Sequence, residues 1–293
     1  MYDFQQSVGH STYATKNKIA DGQAQVVTVK DNQGKPTDVG YHIFISKSIT
    51  MIVIIGLFLE ENKSEENVNQ LVDIINLKNS FIRKIRHELA HVEDHNNLCK
   101  CNWIEELLQK EDLLNQLRYD GYRFWEEYYA CKRSSYFFDE KIIMEEFDVL
   151  LSDLENAEKE ICQQKNSYIS NEILAEDFII SMHEYIESAY IYCCYFIGHY
   201  DNYYDSFKAK LKSSKFPIRF YPYILELWEA LHVIEKSYPK WNNPNIFDSF
   251  VKIVIDTMET FEVYPRDIDK GQSVSISTNT ITTRREEIER ASI

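Results

Sequence analysis

Residues Phe81-Ile82-Arg83-Lys84-Ile85-Arg86-His87-Glu88-Leu89-Ala90-His91-Val92 set two histidines four positions apart inside a run with helical periodicity. Phe81, Ile82, Ile85, Leu89 and Val92 recur at the spacing of one helix face. Asn79-Ser80 just ahead are residues that accept hydrogen bonds from the free amides of a helix start, so a helix is expected to open there. In that helix His87 and His91 stand one above the other, where two imidazoles can share one tetrahedral zinc. Glu88 then stands beside the metal, placed to take a proton from a bound water.

Upstream of this run the pattern is that of strands. Ala24–Lys30, Tyr41–Ser46 and the apolar run Ile49–Leu59 read as three strands, with Asp31–Pro36 as a turn. The last of these is far short of the roughly 20 residues that a membrane helix needs, and it reads as a buried strand. From Glu65 onward the period becomes helical. Val68, Leu71, Val72 and Ile75 mark one helix, the histidine run a second, and Trp103, Ile104, Leu107, Leu108, Leu114 and Leu117 a third. An aromatic-rich helix follows over Tyr122–Cys131, then helices at about 140–163, 171–197, 218–237 and 245–260, punctuated by prolines. The expected fold is α+β and mostly helical, with a small N-terminal β-sheet packed on a helical core and a C-terminal helical extension. Residues 1–22 are expected as a flexible arm, 23–138 as the core, and 139–266 as the extension. The Ser/Thr-rich residues 267–293 are expected as a flexible tail.

Composition narrows the function. The chain has 293 residues, 44% hydrophobic and 14% aromatic, which suits a globular protein. Its formal charge of -15 argues against nucleic acid and anionic membrane as partners, since both are bound through clustered Lys and Arg. No basic stripe exceeds Arg284-Arg285, no Gly-rich phosphate loop is present, and no serine lies in a G-x-S-x-G turn. The N-terminus shows neither a charged leader nor an apolar export segment, so the six cysteines are expected as reduced thiols in a cytoplasm.

A catalytic zinc needs a third protein ligand and an open position. His95 continues the four-residue spacing, but eight residues of straight helix rise about 12 Å, too far for both ends to reach one ion. Glu127, in Glu127-Tyr128-Tyr129-Ala130, is the better candidate, because the small Ala130 lets its helix approach the histidine helix closely. Glu126 beside it is the alternative. Asp94, three residues after His91, is either an acceptor for the ring N–H of a ligand histidine or an exposed acidic residue. Arg83 and Arg86 read as solvated or paired with glutamates.

The pairing of His87-Glu88-Leu89-Ala90-His91-Val92-Glu93-Asp94 with Glu127-Tyr128-Tyr129-Ala130 resembles the gluzincin arrangement of ImmA/IrrE-type peptidases and the lethal-factor-like zincins. The likeness spans roughly residues 40 to 136. It departs from the ImmA/IrrE pattern at Ala90, where a glycine is usual, and at Cys131, where Asn or Asp is usual. The resemblance implies a zinc metallopeptidase in which His87, His91 and Glu127 bind the metal and Glu88 is the catalytic base. The implied substrate is a protein or peptide, held along the strand Tyr41–Ser46. A second expectation from the same likeness is a regulatory protein that keeps a zincin core without turnover and docks a partner through its helical extension.

Two further constellations stand out. Met182-His183-Glu184-Tyr185-Ile186-Glu187 is an HExxE-like set lacking an evident fourth partner, and reads as metal-binding or as polarity at the edge of the core. Cys99-Lys100-Cys101 has the wrong gap for a zinc pair, and Cys193-Cys194 lies in an aromatic run where buried thiols are expected. One of the many tyrosines could stabilise an oxyanion near the metal.

Overall fold

The computed structural model of the protein describes residues 22–30, 36–45, 68–98, 101, 103, 107, 112–135, 140–213, 216–266 and 273–291. Helix dominates, in an α+β arrangement. Two units are distinguished, residues 1–93 and 94–293, and the division falls inside one continuous helix.

In the first unit β1 (Gly22–Lys30) pairs antiparallel with β2 (Pro36–Ile45), from Gly22 opposite Ile45 to Lys30 opposite Pro36. The register slips once, between Val27 and Thr28. The expected N-terminal sheet packed on a helical core is not supported. Among the described residues the ladder has two strands, and the third strand expected at Ile49–Leu59 lies outside them. The arm expected at residues 1–22 lies outside them also, apart from Gly22. Helix α1 (Val68–Leu98) then runs straight through Asn79 and Ser80, where a helix start was expected. No glycine or proline occurs between Val68 and Leu98, so nothing in the backbone chemistry stops the first helix before the second begins.

The second unit is built on α2 (Leu113–Ser134), α3 (Glu140–Ile169) and α4 (Ala175–Tyr200). Asp112 caps α2, its Oδ1 accepting the Asn115 N–H at 2.9 Å. The sequence places two helices across this region, yet α2 is continuous through Gly121. A Cβ at Gly121 would lie 2.9 Å from the Phe250 ring, so the residue lets the helix of Phe250 approach. Leu117, Phe124, Trp125, Tyr128 and Ala130 of α2 are fully buried. Contacts between α2 and α4 advance together along both chains, from Asp120 with His183 to Lys132 with Asp201, so the two helices run in the same sense. Gly198 brings them into backbone contact: a Cβ there would lie 2.5 Å from the Tyr128 carbonyl oxygen.

The remaining elements are α5 (Tyr204–Ser213), α6 (Tyr221–Glu235), α7 (Asp248–Thr260), β3 (Val263–Arg266), β4 (Ser273–Ile276) and α8 (Arg284–Ala291). Both α4 and α7 pack on α2, so helices from the expected extension lie against it, and residue 138 lies outside the described residues. Within the expected tail, residues 273–291 are described. β4 pairs antiparallel with β3, and Ile281 is buried, with Asn166 bonding both its N–H and its carbonyl. Arg219 fastens the same segment, donating to Glu158 at 2.5 Å, to the Thr282 carbonyl at 2.9 Å and to Glu287. Among the described residues, no helix is long and apolar enough to cross a membrane.

Candidate metal centre

His87 and His91 project from α1 one turn apart, and their Nε2 atoms lie 3.1 Å from each other. The rings meet edge to face, at 82° with centroids 4.7 Å apart. Two neutral imidazoles facing nitrogen to nitrogen share at most one proton, and two charged ones repel. A cation that accepts both lone pairs fits the arrangement, since nitrogens bound tetrahedrally at about 2.05 Å are separated by about 3.3 Å.

One ligand atom from each of His87, His91 and Glu127 lies within 4.8 Å of the other two. Three points so spaced have a common point within about 2.8 Å of each (4.8 divided by √3). All three residues are partly buried. Glu88, next to His87 on the same helix, is also partly buried. His95 and Glu126 do not belong to the group. His95 lies in the last turn of α1, further along the helix axis, as its rise requires.

The surroundings of Glu127 are set by α2 and α4. Burial and then the Glu127 carboxylate push the Tyr195 phenol well above its ordinary pKa, while Arg123 acts the other way. Tyr195 on α4 is thus within electrostatic reach of Glu127. Arg123, one helical turn before Glu127, forms an ion pair with Glu187 of α4. Burial opposes the charge on this guanidinium, but Glu187, Tyr119, Glu127 and Glu126 outweigh it and raise its pKa. Burial also raises the Glu187 carboxyl, with Arg123 restraining it.

Asp94 is fully buried and accepts the Trp125 Nε1–H at 3.1 Å. It is thus not the exposed acidic residue that one reading of the sequence allowed. Its bond to Trp125 ties the last turns of α1 to the helix that carries Glu127. Trp125 itself stacks among Tyr129, Tyr238 and Trp241, with the last two contributed by the expected extension.

The HExxE-like set does not form a metal group among the described residues. His183 Nε2 lies 2.7 Å from Asp120 Oδ2, and Glu187 is engaged by Arg123. Burial would lower the His183 pKa, but the Asp120 carboxylate outweighs it and raises it. Neither Asp120 nor Arg123 carries a sequence signal that marks it as a partner, since each meets its counterpart more than sixty residues away. Cys193 and Cys194 are buried, as expected, and Cys99 lies outside the described residues. Compared with models of known protein families, with curated proteins and with solved structures, the chain finds no match.

Proposed function

We propose that the protein is a zinc-dependent, peptidase-like hydrolase. The observation that carries this reading is the convergence of His87, His91 and Glu127 within 4.8 Å, with Glu88 between the two histidines in sequence. His87 and His91 would hold the metal through neutral imidazole nitrogens and Glu127 through its carboxylate. A zinc ion bound there supplies Lewis acidity that makes a water acidic near neutral pH. Glu88 would serve as the general base, its carboxylate taking a proton from the attacking water and passing it to the leaving nitrogen. Tyr195, within electrostatic reach of Glu127, is a candidate donor to an oxygen that gains charge.

A protein or peptide as substrate rests on the likeness of the two motifs to zincins. A cytoplasmic location belongs to the same reading, because buried Cys131, Cys162, Cys193 and Cys194 suit a reducing compartment. The charge of -15 supports a site that serves neither nucleic acid nor membrane.

Metal analysis tests the site, and a peptidase assay on unstructured protein substrates tests the chemistry. Purified protein is expected to carry about one zinc per chain, and His87→Ala to lose it. Glu88→Gln is expected to keep the zinc while hydrolysis falls by roughly a hundredfold or more. Wild-type protein that takes up no zinc would overturn the site. Undiminished cleavage by Glu88→Gln would overturn the mechanism.

A further inference from the structure

The segment leading into α6, the end of α7 and the C-terminal segment with α8 enclose a cavity of about 560 Å³. That volume falls within the range of about 300–1,000 Å³ found for small-molecule sites. Ile218 and Ile281 are buried at its floor, while Phe216, Pro222 and Ile288 stand exposed around its mouth. Phe216 and Ile288 come from different parts of the chain and are 37% and 44% exposed, so an apolar body seated between them would cover both.

Most polar groups of the wall are already partnered. Arg219 spends its guanidinium on Glu158, Glu287 and the carbonyls of Thr260 and Thr282. The Tyr221 and Tyr223 hydroxyls donate to the Leu211 and Asp256 carbonyls, and the Thr260 hydroxyl donates to that of Thr257. Glu262 is paired with Lys165, and Glu287 with both Arg219 and Arg284. Arg284 differs. Its Nη1 donates to Glu287 at 3.0 Å, its side chain is 55% exposed, and its Nε and Nη2 have no partner among the described residues. Those two nitrogens form the edge of a guanidinium that carboxylates bind in bidentate fashion.

We propose that this cavity binds a small amphipathic anion, its apolar body against the walls and a single carboxylate on Arg284. No lining residue belongs to the proposed metal group, so the inference stands independently of the zinc reading.

Isothermal titration calorimetry on the full chain with hydrocinnamate and octanoate tests the site, with the alcohol and the amine corresponding to hydrocinnamate as neutral and cationic comparisons. At least one carboxylate is expected to bind with a dissociation constant of about 1 mM or below, and the alcohol and amine about tenfold more weakly. The overall charge of -15 would favour the amine, so preference for the acid reports on the site itself. Arg284→Gln is expected to weaken the carboxylate about tenfold and leave the alcohol unchanged. Ile288→Gln is expected to weaken both by about threefold or more. Bound carboxylate should also slow amide exchange in residues 284–291, because α8 forms one wall of the cavity. Both substitutions fall on exposed positions of α8, and circular dichroism checks that each variant folds. Should Arg284→Gln fail to fold, the comparison of acid with amine decides. The inference is overturned if neither carboxylate binds saturably below about 10 mM. It is overturned equally if the alcohol or amine binds as tightly as the acid, or if a folded Arg284→Gln keeps wild-type affinity.

Discussion

Gly198→Ala puts the α2–α4 contact to a test in which two principles predict opposite signs. On helix propensity alone, alanine in the last turn of α4 should stabilise the protein, by at most about 1 kcal/mol. The local geometry opposes this. The added methyl would sit 2.5 Å from the Tyr128 carbonyl oxygen, 2.6 Å from Cys131 Cβ and 3.0 Å from the Lys132 nitrogen. Ordinary contacts are about 3.3 Å to an oxygen and about 3.8 Å between carbons, so the deficits are roughly 0.8 and 1.2 Å. Backbone atoms and a Cβ cannot rotate aside, and α2 must move away by about 1 Å. Overpacking of this kind costs about 1–3 kcal/mol. With three rigid contacts the upper end applies, and after the propensity gain a net loss of about 2 kcal/mol is expected. The displaced carbonyl belongs to the residue next to Glu127, so zinc affinity should fall with stability. Urea unfolding gives the first quantity and chelator competition the second. A Gly198→Ala protein that unfolds at the same or a higher urea concentration than wild type, with zinc affinity intact, would refute the reasoning.

Two further outcomes follow from the buried charges. Arg219→Met leaves Glu158 buried without its guanidinium, and a loss of about 3–5 kcal/mol is expected in urea unfolding, with amides of α8 exchanging first. Unchanged protection of residues 284–291 would show that Arg219 does not anchor that helix. Asp201 accepts bonds from Trp228 and His232 and pairs with Lys132 at 2.7 Å. Burial opposes its charge, but His232, Lys132 and Trp228 together lower its pKa to about 2 from 3.8. A depressed carboxylate contributes stability above its unfolded pKa and loses it on acidification, so this contribution should vanish between about pH 4 and pH 2. Urea midpoints of Asp201→Asn should therefore decline less over that interval than those of wild type, and parallel declines would refute the assignment.

How much of this was legible in the sequence depends on where the physical cause resides. His87 and His91 lie one turn apart on one helix, and their four-residue spacing suffices to place them on one face. A third candidate needed a second helix, and the likeness of Glu127-Tyr128-Tyr129-Ala130 to zincins pointed to Glu127. Elsewhere local signals misled for identifiable reasons. Asn79-Ser80 has cap chemistry, but a cap forms only where the preceding chain is not already helical, and nothing before it breaks the helix. Ser and Thr are frequent after residue 272, yet one buried apolar residue, Ile281, and contacts from Asn166 and Arg219 hold that segment. Those contacts come from residues more than fifty positions away, and no local pattern encodes them.

The same reasoning explains why Glu187 could not be interpreted from its own motif. In His183-Glu184-Tyr185-Ile186-Glu187 the spacing puts His183 and Glu187 on one helix face, as in a metal pair. What such a face does is decided by the helix opposite. Facing imidazoles, it would make a cation site; facing Asp120 and Arg123, its two groups are each neutralised by a partner of complementary charge. The positive charge of Arg123 disfavours a metal at Glu187 by repulsion. One ion pair thus accounts for the absence of Glu187 from the metal group.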